Sequence, residues 1–160
     1  MKIITGDIFD LVAQGNFDIL IHGCNCFCVM GKGFARDIKH YYPEAYAADC
    51  RTSAGDHSKL GSYTKVTTTR RGKCGDIKFN LPPLTIVNAY SQFDYGPSGR
   101  RADYKAIHSV FKKIKEEFSG KQIVYPRIGA GLARGNWTVI SEIINEELAG
   151  ESHTLILLPE

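Results

Sequence analysis

Much of what would reveal a function at sight is missing from this sequence of 160 residues. No apolar run approaches the roughly 20 residues that a membrane-spanning helix needs, so no membrane association is expected. The opening "MKIITGDIFD" reaches Asp7 and Asp10 before it can hold the apolar core and small-residue cleavage site of a secretory signal. A reducing cytoplasm is the expected location. The five cysteines are an odd number and contain no C-x₂-C pair. They read as free thiols rather than a disulfide framework, a structural zinc knuckle or a dithiol redox centre. No metal or other cofactor is expected. Internal repeats and low-complexity tracts are absent, as are the G-x-x-x-x-G-K-[ST] of an ATPase and the full G-x-G-x-x-G of a dinucleotide fold.

What is present is an ordinary globular composition, 43% hydrophobic and 23% charged, with a net charge of +3. The length suits one domain over residues 1–160 that buries roughly two-thirds of its unfolded surface and acts as a monomer. The mild positive charge favours a phosphorylated small molecule and falls short of the basic surface needed for tight duplex binding.

Short apolar strands alternate with amphipathic helices along the whole chain. Strands are expected at 2–5, 18–23, 61–69, 77–80, 84–90, 122–125 and 153–158. "LTIVNAY" and "TLILL" are continuous apolar runs, the mark of strands covered on both faces. In "RADYKAIHSVFKKIKEEF", Tyr104, Ile107, Phe111, Ile114 and Phe118 recur at spacings of three and four, which predicts a surface helix. "NWTVISEIINEEL" repeats the pattern behind Asn136 as N-cap. "GFARDIKHYY" and "EAYAADCRTSAG" are two further helices, the second ending near Gly55. Residues 61–80 read as a hairpin with a polar turn at "RRGKCG". The pattern predicts an α/β sandwich with a mixed sheet and ligands outside the carboxyl ends of strands.

Strand ends carry the unusual chemistry. In "IITGDI", the Asp7 carboxylate either accepts from an exocyclic amine or caps the next turn. In "ILIHGCNCFCVMGKGFA", backbone N–H groups at Gly31, Lys32 and Gly33 would face an anion near a helix N-terminus. His22 is either a hydrogen-bonded core residue or a proton-transfer group. "YPRIGAGLARGNW" sets Gly129, Gly131 and Gly135 between a strand and a helix, and a pyrophosphate lying between two such loops accounts for both. After "IVNAY", Ser91, Gln92, Asp94 and Tyr95 follow a strand and precede Arg100 and Arg101. Asp94 is an acid-base candidate there or a solvated loop residue.

Taken in order, "GDI", "LIHGCN…MGKGFA", "IVNAYSQ" and "PRIGAGLARGNW" resemble the macro domain family. The resemblance implies a three-layer α/β/α sandwich that binds ADP-ribose. It gives Asp7 the adenine amino group with Ile8 beside the ring, and Asn25 the distal ribose. It places Gly31, Lys32, Gly33 and Phe34 along the pyrophosphate and distal ribose, and gives the second phosphate loop to Gly129, Ala130, Gly131 and Leu132. Ser91 joins this substrate set.

Within the family, "LIHGCNCFCVMGKGFA" looks most like small phosphatases that act on ADP-ribose 1″-phosphate, with His22 and then Asp94 as catalytic candidates. The alternatives are a non-catalytic reader of ADP-ribose or of ADP-ribosylated macromolecules, and a hydrolase that removes ADP-ribose from protein or nucleic acid. That hydrolase branch uses an aspartate where this chain has Ala133 and a lysine where it has Ser91-Gln92, and a related group uses an aspartate at Ala35, two residues before Asp37. Alanine has no proton acceptor, and serine or glutamine forms no Schiff base.

Overall fold

The computed structural model describes residues 1–160. Six strands, β1 (Lys2–Thr5), β2 (Ile19–Cys24), β3 (Tyr63–Thr68), β4 (Leu84–Tyr90), β5 (Ile123–Tyr125) and β6 (His153–Leu157), form one sheet in the order β1-β6-β5-β2-β4-β3. Every pairing is parallel except that of β3 with β4. Helices α1 (Ile8–Ala13), α2 (Gly33–Tyr41) and α3 (Pro43–Cys50) cover one face, and α4 (Tyr104–Phe118) and α5 (Trp137–Glu147) cover the other. This is the expected α/β sandwich. None of its helices is long and apolar enough to cross a membrane.

Alternation along the strands builds two cores. Ile19, Ile21, Val87, Ala89 and Tyr125 meet α4 and α5, whereas Leu20, Ile86 and Val124 meet Ile8, Phe9, Val12, Ile38 and Ala45. The register sets Leu20 beside Ile86, His22 beside Asn88 and Cys24 beside Tyr90. The central apolar face therefore turns polar toward the strand ends, where a site belongs.

Two expectations are corrected. Residues 77–80 are not a sheet strand: only an isolated bridge joins Arg71 to Ile77, and Phe79 is 82% exposed. The tetrapeptide has no core to cover, and Pro82 and Pro83, which lack an N–H, follow it; β3 takes β4 as its partner instead. Helix α3 stops at Cys50 rather than near Gly55, and the chain then passes through a short 3₁₀ turn at His57–Lys59. Helix α1, only six residues long, leaves no periodic signature in the sequence, because a full apolar periodicity cannot develop over so short a span.

The excursion between β3 and β4 is anchored by a buried arginine. Arg70, 1% exposed, donates from Nε to the Pro82 carbonyl (2.7 Å) and from Nη1 to the Val12 carbonyl (2.8 Å), and no carboxylate lies within ion-pair reach. It ties this segment to α1. Arg70→Met is expected to cost about 2 kcal/mol by leaving both carbonyls without a donor, read as a lower urea midpoint at unchanged slope.

Candidate functional site

The carboxyl ends of β1, β6 and β5 open into a cavity of about 540 Å³. Asp7 stands at its rim as N-cap of α1, with Oδ1 accepting from the N–H groups of Phe9 (2.9 Å) and Asp10 (3.4 Å). The capping reading of Asp7 is thus realised by Oδ1, which leaves Oδ2 for another partner. Lys73, carried by the segment that Arg70 anchors, donates to Oδ2 at 2.5 Å. Desolvation opposes the Asp7 charge, but Lys73 and the two backbone donors outweigh it and hold the carboxyl below its ordinary value. One wall is aromatic, with Phe9 and Phe34 stacked at 5.3 Å between centroids and Tyr41 leaning on Phe9, while Asp37, Arg127 and Glu160 bring charge to the lining. Ile8 is buried directly behind Asp7.

Phe34 links this cavity to the first glycine loop, being the second residue of α2 after Gly33. The backbone N–H groups of Gly31, Lys32 and Gly33 find no protein acceptor, nor do those of Gly131 and Leu132 in the second loop. Such outward N–H groups are ready donors for an anion. The loops also touch. A methyl group on Gly33, whose φ is +63°, would lie 3.1 Å from a Leu132 methyl. Ala130 is half-buried against the α4–α5 core, which supports the second loop from behind.

Asn25 and Ser91 are buried, whereas Asp94 and Arg100 reach the surface. Asn25 folds its own loop, with Oδ1 accepting from Phe27 N (2.9 Å) and Nδ2 donating to the Val29 carbonyl (2.9 Å). Ser91 is fully buried and its hydroxyl has no partner; a methyl on Gly23 would approach it to 2.8 Å. Asp94 pairs with Arg101 Nη1 at 3.0 Å, while the Arg101 Nε is buried without an acceptor. Arg100 lies over the Tyr104 ring, 4.1 Å from its centroid. No three His, Cys, Asp or Glu side chains gather into a metal-holding group.

His22, on β2, is 1% exposed, its ring centroid 6.2 Å from that of Phe34. The neighbouring network fixes its tautomer. Asn88 Nδ2 donates to the Ala45 carbonyl and Thr64, so Asn88 Oδ1 must accept, at 2.6 Å, from a protonated Nε2 of His22. The Cys24 sulfur lies beside the ring, 3.5 Å from Nε2 and 3.7 Å from the bare Nδ1. Burial lowers the imidazole pKa to about 4 against the opposing bond to Asn88, so the ring is neutral at pH 7.

Because the unfolded chain takes up this proton near 6.5 and the folded ring only near 4, stability is full above that window and falls as pH drops through it. His153, likewise lowered to about 4 by burial and by the nearby N-terminal amine, adds to the same window. Urea unfolding between pH 4 and 7 should show a slope of up to about 1.4 kcal/mol per pH unit for each histidine. His22→Gln is expected to remove its share; an unchanged slope would contradict the buried neutral ring.

Residues that the sequence did not single out complete the site: Lys73 on Asp7, and Phe9, Tyr41 and Arg127 around the cavity. The polar turn around Lys73 was visible, but not that it folds back over β1.

No family model matches the chain. It is 37% identical over 153 residues to "Uncharacterized 17.5 kDa protein in tk-vs intergenic region" of Enterobacteria phage T4, a match covering 91% of this chain and 88% of that protein. Among solved structures it is similar to the macrodomain of Thermus aquaticus DarG, with TM-score 0.68, 19% identity and coverage of 99% and 97% of the two chains. It is also similar to Thermosipho africanus DarTG in complex with ADP-ribose, with TM-score 0.70, 17% identity and coverage of 99% of this chain and 42% of that one.

Proposed function

We propose that this chain, which belongs to the same family as the 17.5 kDa phage T4 protein and has the macrodomain fold, binds ADP-ribose across the carboxyl ends of its parallel strands. One juxtaposition carries the reading: Asp7 at the rim of a cavity with an aromatic wall, joined through Phe34 to two touching glycine loops with free N–H groups. Adenine enters the cavity with its amino group on Asp7 Oδ2, sharing that oxygen with Lys73. The pyrophosphate lies between Gly31–Gly33 and Gly129–Leu132, and the distal ribose points toward Asn25 and Ser91. The complex of Thermosipho DarTG with ADP-ribose, a structure of similar fold, supports ADP-ribose as the ligand class. Calorimetry with ADP-ribose should give saturable one-to-one binding, against none with ribose 5-phosphate at equal concentration.

A second reading, hydrolysis of ADP-ribose 1″-phosphate to ADP-ribose and phosphate, is favoured by two buried donors without acceptors, the Ser91 hydroxyl and Arg101 Nε–H. Both flank the segment after β4, and a terminal phosphate would accept from them. Proton transfer would fall to His22 or Asp94. His22 must first leave Asn88, and Asp94 must leave Arg101. Phosphate release by the wild-type protein that disappears in His22→Ala supports this activity and its mechanism. Equal release by both proteins removes His22 from it, and no release leaves binding alone. Buried Ala133 supplies no carboxylate for detaching ADP-ribose from macromolecules.

A further inference from the structure

Beside the nucleotide cleft, the cysteine-rich turn after β2 holds a second reactive pair that the binding reading leaves unused. Cys28 is a non-glycine residue at φ +59°, a conformation that costs free energy and persists only where its surroundings impose it. Its half-buried sulfur lies within reach of Lys59, with Nζ donating to Sγ at 3.7 Å. Lys59 is only 7% exposed, and its other donors go to the carbonyls of Cys26 (3.0 Å) and Ser53 (3.3 Å), with no carboxylate at ion-pair distance. The remaining neighbours of the sulfur are the Asp49 carbonyl and Thr52. Of these groups, the Lys59 amine is the strong nucleophile.

We propose that Cys28 and Lys59 form an oxidative modification site, in which hydrogen peroxide converts the pair into a covalent sulfur–nitrogen cross-link. The Cys28 sulfur attacks the peroxide: an S–O bond forms, the O–O bond breaks and water leaves, giving a sulfenic acid as sulfur loses two electrons to the peroxide. Lys59 gives up its ammonium proton to solvent, and the neutral amine attacks the sulfenic sulfur. The N–S bond forms, the S–O bond breaks, and a second water departs. The link ties the turn leading into Gly31–Gly33 to the segment between α3 and β3, and it forms whether or not ADP-ribose is the ligand.

The test is treatment of the folded wild-type chain with hydrogen peroxide, alkylation of the remaining thiols, tryptic digestion and mass spectrometry. The expected product is the Cys28 peptide joined to the Lys59 peptide, lighter than their sum by two hydrogen atoms, with cleavage at Lys59 lost and restored by thiol reduction. Lys59→Arg, which keeps charge and donors, should abolish the link while Cys28 remains oxidisable. Recovery of Cys28 in a disulfide with Cys24, Cys26 or Cys50, or as a higher oxide with Lys59 still cleaved, would overturn the proposal.

Discussion

Gly135→Ala is expected to abolish measurable ADP-ribose binding and to destabilise the fold by about 3 kcal/mol, the upper range for forcing a methyl group into packed surroundings. A methyl there would lie 2.5 Å from the Gly129 carbonyl oxygen, 2.7 Å from Ile140 Cδ1 and 2.9 Å from Ala102 Cβ. Backbone cannot yield as a side chain tip can. The Gly135 N–H also donates to that same Gly129 carbonyl at 2.7 Å, so the clash opens the bond that closes the second glycine loop. Gly131→Ala is the control, because nothing lies within 4 Å of the added methyl and the backbone is not left-handed. It should leave the melting temperature within a degree or so of wild type, yet weaken ADP-ribose by crowding the phosphate path. Thermal melts and calorimetry on the pair separate loop integrity from ligand approach; equal binding by wild type and Gly135→Ala would contradict the assignment of this loop.

Asp7→Ala is expected to weaken ADP-ribose by about 10- to 100-fold, the loss of one charge-assisted hydrogen bond of roughly 1.5–3 kcal/mol. It also removes the cap of α1 and should cost about 1 kcal/mol of stability. Asp7→Asn divides the two effects. The amide oxygen can still accept from Phe9 N, so the cap survives, while the amide nitrogen meets the adenine amino group donor to donor. Stability close to wild type with affinity near that of the alanine variant is the expected outcome, measured by urea unfolding and calorimetry. Affinity unchanged in both variants would remove Asp7 from the base-binding end.

The elements legible in the sequence are those set by local physical signals. The α4 stripe from Ile107 to Phe118 and the buried run of β4 are written in side-chain periodicity, and both elements form where that pattern places them. Asn136 caps α5 by accepting from Thr138 N, again a local interaction. The 77–80 segment failed because strand pairing is a competition between distant partners, and the polar turn before it carries no information on which partner wins. Similarly, "GDI" and the two glycine loops were legible as strand-end chemistry, whereas the Lys73 contact with Asp7 spans 66 positions and depends on Arg70 being buried under α1. His22 shows the limit most clearly. Its residue type permits acid-base chemistry, but only the fold reveals a buried, neutral ring with Nε2 committed to Asn88.

The central claim is that one ligand spans Asp7 and both glycine loops. Its most direct test is an amide NMR titration of the chain with ADP-ribose. The predicted result is saturable shifts concentrated at Gly6–Phe9, Gly31–Phe34 and Gly129–Leu132, with the unpartnered N–H groups of Gly31, Lys32, Gly33, Gly131 and Leu132 moving most. Shifts confined to another surface, such as the smaller cavity beside Phe17 and Thr154, or no shifts at millimolar ADP-ribose, would contradict it.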